Sequence, residues 1–311
     1  MGDQYDKTGK NLSKILKKME KRNFICSEVK RMGSYSEVGE ADTSVRMLLM
    51  ETTVKPTLLF NTETWVNVLP SEMELIDRYH YEILRKIFEQ RENVPYYGLL
   101  AETGYWPFSY IIIYKRLMFF HHLINSDERR ISRQIVINQM KMEKKKNNWY
   151  GSVREWLERL QMETEEEEIL EISKSRWKKE LKGKLGDIVA DEVEKKRLEM
   201  KKLRFTRGHE MQEYVKTCSM TKVKNIMKLR LNMTDLKANF KGKHQDTMCV
   251  ACKLEPETTE HVIQCPEYRR IVGHSIIVNE TVEKCMQDVV WLQEASEVYE
   301  RIEETRKWLV R

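Results

Sequence analysis

The chain has 311 residues, 41% hydrophobic and 33% charged, with only 12 Gly and 6 Pro and a formal net charge of +6. That is enough for one large or two modest domains, and the scarcity of turn residues favours long helices over a thick sheet core. Six cysteines in a chain this long make no disulfide framework, and the longest apolar run, Tyr110–Tyr114, is too short to cross a bilayer. A mild positive charge is compatible with a polyanionic partner and decides nothing alone.

In chain order, the Lys-rich stretch 11–31 places Leu12, Ile15, Leu16, Met19 and Phe24 at helical spacing, and 32–39 reads as a loop. No apolar segment follows Met1, so no signal peptide is expected. The Asn-x-Ser/Thr matches at Asn11, Asn232 and Asn279 are then chance, and the expected compartment is intracellular, nucleus or cytoplasm. From Thr43 the pattern Val45, Leu48, Leu49, Thr52 is helical, and Pro56 should kink or end that helix. Ser71–Glu74 and Ser152–Glu155 have capping-box form. The first opens a helix whose apolar face is Ile76, Tyr79, Ile83, Leu84 and Ile87. The second opens one carrying Val153, Trp156, Leu157 and Leu160. Between them, 105–125 bears Trp106, Ile112, Ile113, Leu117, Phe120 and Leu123, the most buried helix expected in the first half. The adjacent His121 and His122 diverge on a helix and cannot share a metal. The stretch 170–204 alternates Lys and Glu blocks with sparse apolar positions, which suits long exposed helices.

From Arg204 to Lys243 basic residues far outnumber the acids Glu210, Glu213 and Asp235, and Val223, Ile226, Met227, Leu231 and Met233 supply an apolar face. Lys228, Arg230, Lys237, Lys241 and Lys243 are left to meet phosphates, with Phe240 placed either to stack on a base or to pack under the loop that follows. This stretch runs into Cys249, Cys252, His261 and Cys265, in the pattern C-x2-C-x8-H-x3-C. The first pair has the spacing of a tight metal-binding turn, and the second pair suits one turn of helix. Three thiolates and one imidazole make a closed tetrahedral shell for zinc, a structural site with no open position. Arg269 and Arg270 follow at once as further phosphate ligands. Cys218 and Cys285 have no partner at ligand spacing and read as buried thiols.

Two segments resemble non-LTR (LINE-type) retrotransposon reverse transcriptases. Glu260-His261-Val262-Ile263-Gln264-Cys265, after a C-x2-C pair and an acidic spacer, resembles the zinc segment near their C-terminal end, with three residues between His and Cys where several members carry four. Met47–Pro56, Leu58-Leu59-Phe60 and Glu63-Thr64-Trp65 resemble the segment after the polymerase palm, with Phe60 for the usual Tyr and Asn61 for the usual Gly. The resemblance implies a nucleic-acid-binding C-terminal part of such an enzyme, with RNA or DNA as partner and the polymerase region elsewhere, such as on another chain. Its expected layout is a thumb-like helical region over 1–140, a charged helical linker over 141–203, a basic segment over 204–248, a CCHC zinc knuckle over 249–270 and a helical tail over 271–311.

The expected fold is therefore mainly α, an extended multi-helix array with a small C-terminal knuckle. No paired carboxylates on a Y/F-x-D-D turn are present, nor a P-D…(D/E)-x-K array after the knuckle. His209–Glu213 lacks the second His of a zinc-peptidase helix. No catalytic residue is nominated. Two functions from different classes stand: a nucleic-acid-binding module, or a helical scaffold whose zinc only staples a turn.

Overall fold

The computed structural model describes residues 43–66, 69–142, 148–240, 242, 246–276 and 281–309. The expected N-terminal helix at 11–31, its following loop, Lys241 and Lys243 lie outside these residues. So does the side chain of Phe240. The protein is mainly helical, with no strand among the described residues and two isolated antiparallel bridges, Thr103 with Met211 and Met248 with Pro256. In order, the helices are α1 (Thr43–Leu49), α2 (Lys55–Leu58), α3 (Pro70–Ile87), α4 (Tyr96–Thr103), α5 (Phe108–Ile124), α6 (Ile131–Lys141), α7 (Trp149–Leu160), α8 (Glu166–Leu170) and α9 (Lys174–Glu199). Then come α10 (Glu213–Thr217), α11 (Met220–Arg230), α12 (Thr259–Gln264), α13 (Pro266–Val272), α14 (Val282–Cys285) and α15 (Val289–Leu309). None is long and apolar enough to cross a membrane among the described residues.

The described residues divide into two compact units, those within 48–83 and 106–192 in one and those within 43–47, 84–105 and 193–309 in the other. The first unit is built around α5, where Phe108, Ile112, Leu117, Phe120 and Ile124 are all fully buried. Its entry is capped from α3: the Asp77 carboxylate accepts from the Ser109 backbone N–H (2.9 Å) and hydroxyl (2.6 Å). Burial, partly offset by those two bonds, pushes Asp77 up to about 6. His121 is buried, with Nε2 2.9 Å from the Ile172 carbonyl, and His122 is exposed, so the pair diverges as expected.

Several expectations shift here for identifiable reasons. Pro56 has no N–H to give, and the turn before it, Met50–Val54, widens to π geometry so that Lys55 N–H reaches the Met50 carbonyl; the helix ends at Leu58. Asn61 then takes a left-handed conformation (φ 57°), and Trp65, only 2% exposed, anchors the turn. Both expected capping boxes are displaced. α3 starts two residues early, with Pro70 leading and the Leu69 N–H donating to Glu72 rather than Ser71 pairing with Glu74. α7 is capped by Asn148, whose Oδ1 accepts from Gly151 N–H at 2.6 Å. The stretch expected as an exposed linker instead supplies core: Trp177, Leu181, Leu185 and Val189, each 0% exposed, form an unbroken i, i+4 stripe on α9. Val45 and Leu48, expected on an apolar face of α1, are exposed.

In the second unit α11 packs along α15, burying Val223, Ile226 and Met227 against Leu292, Ala295, Val298, Tyr299 and Ile302. At its centre Arg230 and Glu102 form an ion pair, 1% and 0% exposed, with Nε 2.9 and 2.8 Å from the two carboxylate oxygens. Tyr214 donates its hydroxyl to the same carboxylate (2.5 Å), and Arg230 also reaches the Gln212 side chain and the Met286 carbonyl. Every charge in that cluster is matched, which is what lets it stay buried. α4 ends at Gly104, φ 65°, where the N–H bonds back to the Leu100 carbonyl at 2.8 Å.

Candidate metal centre

The loop 246–258 turns on itself through local hydrogen bonds. Cys249 N–H donates to the Glu255 carbonyl (2.7 Å), Lys253 N–H to the Cys249 carbonyl (2.9 Å), and Glu257 N–H to the Thr247 carbonyl (2.8 Å). Lys253 sits in the left-handed region (φ 57°), closing the turn between the first two cysteines and the acidic spacer. Thr258 then caps α12, its hydroxyl accepting from His261 N–H at 3.1 Å, so the first turn of that helix aims the imidazole back at the loop. Cys265 ends α12 and stands at the N-terminal cap of α13, with Pro266 in the first position of the new helix.

The result is a cluster in which one atom each of Cys249, Cys252, His261 and Cys265 lies within 4.8 Å of the others, as the spacing predicts. Cys249 Sγ is 4.0 Å from Cys265 Sγ, and Cys252 Sγ is 3.3 Å from His261 Nε2. Cys249 and Cys265 are buried, and Cys252 and His261 are half-buried. Four soft donors converging on one point could hold a metal ion.

Burial and backbone donors act in opposite directions on the three thiols. Cys249 is met by the backbone N–H groups of Ala251 and Cys252, Cys252 by those of Leu254 and Glu255, and Cys265 by those of Glu267 and Tyr268. Burial nevertheless pushes the Cys249 thiol up to about 12 and raises Cys265. At Cys252 burial is weaker than its hydrogen bonds, and the thiol falls to about 7. Thiols must lose their protons to ligate a cation, so metal binding here would release protons.

The spacing marks the candidate ligands but not the groups that hold them in place. Glu255 accepts from His261 Nδ1 at 3.1 Å; a carboxylate only accepts, so Nδ1 carries the proton and Nε2 turns its lone pair into the cluster. Glu257, fully buried, is the hub of the whole segment. Its carboxylate receives Val250 N–H (3.4 Å) from the loop, Lys237 N–H (3.0 Å) from the basic segment and Tyr268 O–H (3.3 Å) from α13. It also forms a two-pronged pair with Arg306 of α15 (2.8 and 2.7 Å). Arg306 in turn donates to the Asp235 carbonyl at 2.7 Å. The metal loop is thus part of the second unit's core, held to its last helix.

The expected phosphate ligands among the described residues meet different surroundings. Arg230 is removed from that set: it is buried in the Glu102 cluster, because a cation in the last turn of α11 points into the helix interface instead of away from it. Lys228 is half-buried, with its pKa lowered by that burial. Lys237 reaches Asp246 at 3.1 Å beside the loop, while Arg269 and Arg270 are exposed on α13, Arg270 pairing with Glu267 at 2.8 Å. No protein-family model, curated protein or solved structure matches the chain.

Proposed function

We propose that the chain is a zinc-stapled nucleic-acid-binding module related to the C-terminal part of non-LTR retrotransposon reverse transcriptases. The observation that carries the reading is the preassembled Cys3His cluster joined to the basic segment through Glu257. Lys237 N–H and the loop's Val250 N–H bind one carboxylate, so the stretch offered to phosphates and the metal loop move as one piece. Zinc is the metal of choice: the sulfur–sulfur and sulfur–nitrogen separations of 4.0 and 3.3 Å lie near the roughly 3.5–3.8 Å edges of a tetrahedron with zinc's bond lengths. Asn61 in the left-handed conformation, where the resembling enzymes carry Gly, supports the kinship from the other end of the chain. Lys237, Arg269 and Arg270, with Lys241 and Lys243, are the residues that face the backbone of the nucleic acid.

One observation favours the scaffold reading. Several surface cations of the second unit already face carboxylates: Lys222 with Glu297 (2.7 Å), Lys224 with Glu89 (3.0 Å) and Lys237 with Asp246 (3.1 Å). Exposed pairs of this kind are weak and screened by solvent, so phosphates can displace them. The deciding experiment is binding of the zinc-loaded chain to a structured RNA over a salt series, beside Cys252→Ser. The module reading expects log affinity to fall linearly with log salt and the variant to bind more weakly. Absence of binding at low salt would leave the scaffold.

A further inference from the structure

Next to the metal loop, and made partly from it, lies an open cavity of about 410 Å³, within the range of small-ligand sites. One wall is the basic turn after α9: Lys201 and Lys202 are exposed there, while the intervening core residue Leu203 is fully buried and pins the turn. Arg204 extends this wall and is paired with Glu260 of α12, the residue before His261. Asn239 and Thr258 also line it, and Ala238 and Pro256 add apolar surface. Pro256 pairs with Met248, the residue before Cys249, and Thr258 caps the helix bearing His261, so two of the lining residues are fixed by the ligand-bearing loop itself.

Cations, a small apolar surface and amide and hydroxyl groups around one concavity are the complement of a phosphate attached to a flat, hydrogen-bonding heterocycle. A duplex keeps its bases stacked inside and cannot offer that shape to a concavity, whereas an unpaired nucleotide can be splayed into one. We propose that this cavity takes one unpaired nucleotide of a single strand, its phosphate toward Lys201 and Lys202 and its base over Ala238 and Pro256. The inference rests on the nucleic-acid reading above and adds to it a specific site and a preference for unpaired chains.

The test uses the full zinc-loaded chain, a short unstructured RNA, a blunt RNA duplex of equal length, and AMP. Ala238→Trp fills the cavity without touching a charge. It is expected to weaken single-strand binding about tenfold or more while duplex binding stays the same. Lys201→Glu with Lys202→Glu, both on exposed side chains, is expected to weaken the single strand as well, and it decides the matter if Ala238→Trp fails to retain zinc. Unchanged single-strand affinity in the variant that decides would overturn the cavity assignment and leave the module reading standing. A wild-type chain that binds neither RNA would overturn both. Saturable binding of AMP as tight as the strand would make a free nucleotide the ligand and overturn the single-strand assignment.

Discussion

At the scale of single residues, the centre depends on groups that are not ligands. Glu255 fixes the imidazole through Nδ1, while its backbone carbonyl separately receives Cys249 N–H. Glu255→Ala keeps the backbone bond and removes only the orienting carboxylate. Zinc affinity, measured by competition with a chelating dye, is expected to fall about 10- to 100-fold with the fold intact. This residue also shows where sequence reading stops. Cys249, Cys252, His261 and Cys265 were legible because soft ligands at that spacing have few other reasons to coincide. Glu255 and Glu257 were not, since one acid in an acidic spacer looks like the next, and only the folded loop separates the exposed carboxylate on His261 from the buried one on Arg306. Arg230 was misread for the mirror-image reason: in a basic run, a guanidinium meant for a buried carboxylate is indistinguishable from one meant for water until Glu102, far away in sequence, is placed beside it.

At the scale of elements, helix existence was readable and helix ends were not. The apolar spacing of α5 placed it directly, because a helix with most of its surface buried announces itself in composition. The stripe on α9 was overlooked because each apolar residue stands alone among Lys and Glu, although the regular four-residue step from Trp177 to Val189 is itself the signal. Helix starts shifted because Asn148 and the Leu69–Glu72 pair cap just as well as the serines that follow. Ends offer a sharper test. Gly104 and Gly273 both close helices at φ 65°, but a Cβ on Gly104 would sit 2.5 Å from Met211 N, whereas one on Gly273 meets nothing within 4 Å. Gly273→Ala should therefore carry only the left-handed penalty, about 1 kcal/mol, and Gly104→Ala at least about 2 kcal/mol, because backbone must also move. Chemical denaturation of the two variants side by side checks the order.

At the scale of the whole molecule, each of the two compact units is drawn from several stretches of the chain, and the segment expected as a knuckle belongs to the second. Its link to the rest is the Glu257–Arg306 pair, with Arg306 12% and Glu257 0% exposed. Metal removal should therefore be felt at α15. Hydrogen exchange after chelation is expected to quicken in Val289–Leu309, with α5 in the other unit keeping its protection; equal rates in α15 with and without metal would separate the loop from the helix energetically.

The buried carboxylate of Glu257 has one further consequence. Its charge partner lies within the last turns of α15, although all four metal ligands have been made by Cys265. A chain terminated between Cys265 and Arg306 would carry a complete ligand set around an acid with no cation to neutralise it. Metal retention at this cluster would therefore report whether the chain has been made as far as Arg306.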